Sequence, residues 1–161
     1  AFLVRKEITL RECGGYVLAQ IVGALAGVLL AHAMFDLPLL QTSAHVRSST
    51  GQWISEAVAT FGLVFTVLAV LRTRPQAVPY AVGLYITGAY WFTASTSFAN
   101  PAVTVARSLS DTFAGIHPAN VAAFVGAQIV GALLATTVLS QLYRNAKAAQ
   151  APATLDIRSA R

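Results

Sequence analysis

Charge is what this chain has least of. Only 11% of its 161 residues are charged, where a soluble domain of this size carries about 25%. Acids are the scarcest, six Asp and Glu against eleven Lys and Arg. Cysteine occurs once, at Cys13, which excludes an internal disulfide framework and suits an interfacial packing residue better than a reactive thiol. A nucleophile–base set, a cluster of metal ligands and a Gly-rich phosphate loop are all missing, so the sequence points to no enzyme, no metal and no cofactor. What fills the space is apolar: 56% hydrophobic residues and a mean hydropathy of +0.63.

The apolar residues cluster into runs long enough to cross a bilayer as helices. Cys13–Phe35, Ala77–Ser95 and Val121–Tyr143 contain no Asp, Glu, Lys or Arg, and Ile54–Leu71 contains one, Glu56. Soluble helices of this length need a polar face, and these have none. The reading is an all-α membrane domain over residues 1–143, with spans at 13–35, 54–71, 77–95 and 121–143, followed by a polar, Ala-rich tail over 144–161 that is expected to be disordered.

The net charge of +5 does not indicate nucleic acid, because the basic residues lie between the spans and not on one face. All eleven except Arg47 and Arg107 fall on one side if the spans alternate. That is the positive-inside pattern. It predicts a multi-pass protein of the plasma (cell inner) membrane with its C-terminus cytoplasmic and with residues 36–53 and 96–120 facing outward.

The heptapeptide Ala-Gln-Ile-Val-Gly-Ala-Leu occurs twice, at Ala19–Leu25 and Ala127–Leu133, 108 positions apart. Three expected crossings separate the copies, so they run in opposite directions. Inverted repeats mark channels and transporters whose site lies at the midplane between two halves. The small residues Gly23, Ala24, Gly131 and Ala132 permit close helix contact.

Between the third and fourth spans lies Ser97-Phe98-Ala99-Asn100-Pro101-Ala102-Val103-Thr104-Val105-Ala106-Arg107. Asn is a favoured N-cap and Pro fits the first helical position. The run that follows, expected to be helical over 101–110, spans roughly 14 Å, about half of a ~30 Å hydrocarbon core. Such a half-helix, with backbone broken at midplane depth, is tolerated only inside protein or along a water-filled path. Its free N–H groups and positive dipole end repel cations and protons there, while a neutral hydroxylated solute can accept a hydrogen bond from the Asn100 amide.

With the segments SFANPAVTVAR, SEAVATFGLVFTV, GLYITGAY and the twice-occurring AQIVGAL, the chain resembles the major intrinsic protein family, the aquaporins and aquaglyceroporins, over essentially all of residues 1–143. The resemblance implies an inverted-repeat helical bundle, six spans with two NPA half-helices when complete, assembled as a homotetramer in the lipid bilayer with a pore for small neutral solutes in each subunit. Four of the six spans and one NPA are expected here. Ala1–Val4 then reads as the end of a first half-helix, since the 27 residues from Asn100 to Ala127 have no full counterpart before Ala19.

The pore centre by this resemblance is Asn100, Pro101 and Ala102. The family usually has Arg directly after the second NPA; here it is Val103. A small apolar group in place of five fixed donors implies a wider, less polar constriction, suited to water, glycerol-like polyols or uncharged arsenous acid. The NPAVTVAR form resembles bacterial members associated with arsenic resistance. Ser97 is expected in the constriction. The third-span position is Gly88 counting back from Asn100, or Tyr90 counting on from Gly83. Arg107, one turn beyond Val103, either folds back toward the pore or snorkels to the outer headgroups. Glu56, the one intramembrane acid, matches a family Glu that braces the NPA loop; a proton relay would need a second ionisable group. His32 is expected at the interface, and His45 and His117 in outer loops. The competing reading, a secondary transporter with a broken-helix site at the midplane, shares the inverted repeat but needs coupling-ion ligands.

Overall fold

Polar first turns set where the long helices begin. In the computed structural model, which describes residues 1–149, Thr9 caps α1 (Leu10–Met34) in a capping box with Glu12: each accepts a hydrogen bond from the other's backbone N–H. Ser49 and Gln52 do the same for α2 (Thr50–Thr73). Both helices therefore start three to four residues before the apolar runs that announce them, because a capped polar turn continues the helix beyond the hydrocarbon-like segment.

The third span is shorter than the expected 77–95. Its helix, α3, covers Val78–Phe92. At the far end Thr93 turns extended, its hydroxyl donates to the Ala89 carbonyl at 2.6 Å, and the next backbone N–H, of Ala94, is taken by Ser55 Oγ at 2.8 Å. At the near end a 3₁₀ turn over Pro75–Ala77 runs directly into the helix. Together these 3 + 15 residues reach roughly 28 Å, close to a hydrocarbon core, although α3 alone reaches only about 22 Å. α1, α2 and the stretch Pro118–Ala146 are each long and apolar enough to cross a membrane.

The half-helix α4 covers Pro101–Arg107, three residues short of the expected 110. Ser108 ends it: its hydroxyl takes the Val105 carbonyl at 2.6 Å and the chain closes in tight turns onto Ala106 and Arg107. The last helix, α5, runs from Val121 to Ala149. The disordered tail expected from residue 144 is thus helical through Ala149, where Ala and Lys, good helix formers, continue the span; residues 150–161 lie outside the described residues.

Packing depends on small residues. α2 and α5 meet at Gly131, where an added Cβ would collide with the Ala57 carbonyl and sit 3.0 Å from the Phe61 nitrogen. α2 and α3 meet at Gly62, under the Tyr85 ring, whose hydroxyl donates to the Ala59 carbonyl at 2.9 Å. Ala59, Ala89 and Ala135 are fully buried. Without a hydrophobic force between helices in lipid, such close backbone approach supplies the dispersion contact. Tyr16, Leu18, Leu30, Leu84 and Trp91 point outward instead, as apolar residues do when lipid is the solvent. α4 is held between α1 and α5. Under its loops lies an apolar cluster of Phe98, Ile116 and Phe124.

Candidate functional site

The site begins with a buried acid on α2. Glu56, fully buried, accepts from the backbone N–H groups of Phe98, at 3.2 Å, and Ala99, through a very short bond. It also accepts from Gln128 Nε2 at 2.8 Å. Those backbone N–H groups belong to a strained turn. Thr96, Ser97 and Ala99 have φ of 61°, 50° and 50°, the left-handed region that costs a non-glycine residue about 1–2 kcal/mol. Hydrogen bonds to a buried acceptor offset part of that cost, and they fix the turn that delivers Asn100 to the start of α4.

Asn100 is extended (φ −153°, ψ 123°) and its Oδ1 accepts from Ala102 N at 2.8 Å and Val103 N at 3.4 Å. Both interactions use the carbonyl oxygen, so the amide NH₂ is turned away from the helix. One of its hydrogens reaches Gln20 Oε1 at 3.4 Å. Pro101 takes the first helical position. Thr104 returns its hydroxyl to the Asn100 carbonyl at 2.9 Å and receives Gln128 Nε2 at 2.7 Å. Glu56, Gln128, Thr104 and Asn100 thus form one continuous network between α2, α5 and α4.

The other expected site residues separate into two groups. Val103 and Arg107, four apart on α4, line one side of a cavity of about 630 Å³; Ala24, Gly27, Val28 and Ala31 of α1 face them. Tyr90 stands beside this cavity, its ring 6.4 Å from that of Phe113, which also lines it. Ser97 is buried and its Oγ has no hydrogen-bond partner. Gly88 is exposed on α3 with no atom within 4 Å of an added Cβ. Of the two positions left open on the third span, Tyr90 is the one beside the cavity. The Arg107 guanidinium carbon lies 4.3 Å from the Phe98 ring centre.

Three participants were not singled out from sequence. Gln128 is the polar residue of the repeat, and its recurrence in two apolar spans was the available signal. Thr104 had no signal. Arg47, noted only as a loop cation, is 2% exposed. It donates to the carbonyls of Gly115 and Phe113, each at 2.7 Å, and of Ser95 at 3.3 Å, and lies 5.2 Å from the Phe98 ring centre. It ties the loop before α2 to those on either side of α4. Burial, and then the charge of Arg107, push its guanidinium below the ordinary value; Glu56 and Tyr90 act the other way. His32, near the end of α1, is buried in the protein. It is 2% exposed, with Nδ1 at 2.9 Å from the Leu39 carbonyl and Nε2 at 3.0 Å from Ser110 Oγ. His45 and His117 do lie in loops, joined by a 2.7 Å backbone bond.

No protein-family model matches the chain, and no solved structure matches it. A curated relative does match: aquaglyceroporin AqpS of Rhizobium meliloti (strain 1021), 53% identical over 146 residues. The match covers 91% of this chain and 63% of the relative. The chain thus spans less than two thirds of that relative's length.

Proposed function

Over the residues it shares with its aquaglyceroporin relative the chain belongs to the major intrinsic protein family, and we propose on that premise that it forms part of a passive pore for small neutral solutes. The carrying observation is the Asn100 cap. Its Oδ1 is committed to the start of α4, so its amide NH₂ is turned away from the helix, with one N–H on Gln20 and the other able to meet a solute oxygen. The dipole of α4 adds positive potential at the same point, which disfavours cations and hopping protons.

Val103 supports a pore wider than that of a strict water channel. It contributes methyl groups to the cavity wall where a guanidinium would narrow the passage and compete for hydrogen bonds. Glycerol-like polyols and uncharged arsenous acid suit such an opening, with Ser97 and Tyr90 as further constriction residues. Glu56 braces the NPA turn. Three N–H groups engage it, which argues against the ion or proton shuttling a secondary transporter needs. The assembly is a homotetramer in the plasma membrane, with the positive-inside pattern setting the C-terminus in the cytoplasm.

The test is solute flux into proteoliposomes holding the complete protein that contains this chain. Downhill glycerol entry should proceed with no ion gradient and be unaffected by ionophores; uptake that collapses with the proton or sodium gradient would establish the transporter instead. Val103→Arg should lower glycerol entry about tenfold, the effect of roughly 1.4 kcal/mol at the barrier, and should spare water. Unchanged glycerol flux would remove Val103 from the constriction.

A further inference from the structure

Two arginines from different elements, the buried Arg47 of the loop before α2 and the half-buried Arg107 at the end of α4, share the Phe98 ring, and their hydrogen bonding differs completely. Arg47 spends its guanidinium on the carbonyls of Ser95, Phe113 and Gly115. Arg107 is 4.3 Å from the centre of the same Phe98 ring, yet its Nη1 is buried without an acceptor. Among the described residues the chain's one ion pair is Arg5–Glu7, far from this site in sequence, so no carboxylate bonds to either arginine. A buried N–H left unpaired costs about 1–3 kcal/mol, more for a charged group. Arg107 also forms part of the wall of the cavity between α1 and α4.

Its neighbours on that wall offer it nothing. Val103, Ala106, Ala114, Phe113 and the α1 residues other than His32 present no polar side chain there. His32 and Ser110 bond to each other, and Ser110 also to Thr112 at 3.0 Å. Among the described residues nothing accepts from the Arg107 side chain, and the part of it that is not buried lines the cavity, where an acceptor oxygen can reach it.

We infer that Arg107 is a specificity-determining residue for the permeant solute: its unpaired guanidinium takes an acceptor oxygen of the solute one helical turn beyond the apolar Val103 level. This rests on the pore reading above. The donor set is moved along α4 and not lost, so the passage meets a solute first with a cation that selects for acceptor oxygens and then with methyl groups that impose little size limit. Phe98 holds the guanidinium by its ring face without consuming its N–H groups, and the fixed charge of Arg47 beside it adds to the exclusion of cations.

The experiment compares glycerol and water permeability in proteoliposomes of the complete protein, unaltered and carrying Arg107→Leu or Arg107→Gln. Leu is shorter but keeps an apolar side chain beside Phe98 and removes every donor; Gln retains an amide donor and keeps the variant series interpretable should Leu fail to fold. The expected result is that glycerol permeability falls about tenfold in Arg107→Leu and less in Arg107→Gln, with water within about twofold, the size expected for one hydrogen bond from a charged donor. Sodium leak should rise in both. A glycerol-to-water ratio unchanged in both variants, or equal loss of both permeabilities, overturns the inference by reducing Arg107 to packing. Failure of the unaltered protein to pass glycerol at all would instead overturn the pore reading.

Discussion

The same seven residues live in two very different surroundings. In α5, the heptapeptide at 127–133 lies against α2. Gln128 is 1% exposed and bridges Glu56 and Thr104, and Gly131 touches the Ala57 backbone. In α1, the copy at 19–25 is open. Gln20 is exposed, with one long contact to Asn100, and Gly23 has no neighbour within 4 Å of an added Cβ. In the most apolar window of each span, 28% of residues are buried for α5 and 6% for α1. The heptapeptide therefore encodes a face and not an environment: a glutamine spaced for a carboxylate and a glycine that admits a neighbouring backbone. What realises it is a partner helix carrying Glu56 and Ala57. Among the described residues only the α5 copy has one.

Substitutions at matched positions can break this comparison. The largest effect is expected from its shared partner. Glu56→Ala leaves the N–H groups of Phe98 and Ala99 and the Gln128 amide unpaired in the interior, and should destabilise by about 3 kcal/mol or more. Loss of cooperative thermal unfolding in detergent would register it, and an unchanged midpoint would mean that the turn at 96–99 holds itself. Next come Gly131→Val and Gly23→Val. The first forces α2 and α5 apart and should cost about 1–3 kcal/mol; the second enters open space and should be near neutral or stabilise by about a few tenths of a kcal/mol, since valine is a better helix former than glycine. Equal midpoints for the two would show that Gly23 is packed as Gly131 is. The smallest contrast is between Gln128→Leu and Gln20→Leu. Buried polar contacts in membranes average about 0.6 kcal/mol, so the first should lower stability by roughly that amount per lost bond, and the second should be near neutral. A larger loss at Gln20 would reveal a partner for it in the assembled protein.

Much of the frame was legible because its signals are local. Hydropathy gave the positions of the helices, and Asn-Pro gave the start of α4, since capping and missing N–H groups act within one turn. Helix ends were misread where side chains decided them: the boxes at Thr9–Glu12 and Ser49–Gln52 lengthened α1 and α2, while Thr93 and Ser108 closed α3 and α4 early. Arg47 and His32 show the other failure. Polarity suggested the interface for His32 and marked Arg47 only as a loop cation, but each sits in a pocket of carbonyl and hydroxyl groups contributed by distant loops.

The sequence by itself determined that this is a multi-pass helical chain with one short helix begun by Asn100-Pro101 and with a repeated packing face, because periodicity, capping and charge need no neighbours to be read. Tertiary structure alone decided which copy of that face is used, that Glu56 reaches Gln128 and the turn at 96–99, and which of the two arginines on Phe98 has its hydrogen bonds filled. Those outcomes depend on where acceptors from separate helices and loops converge.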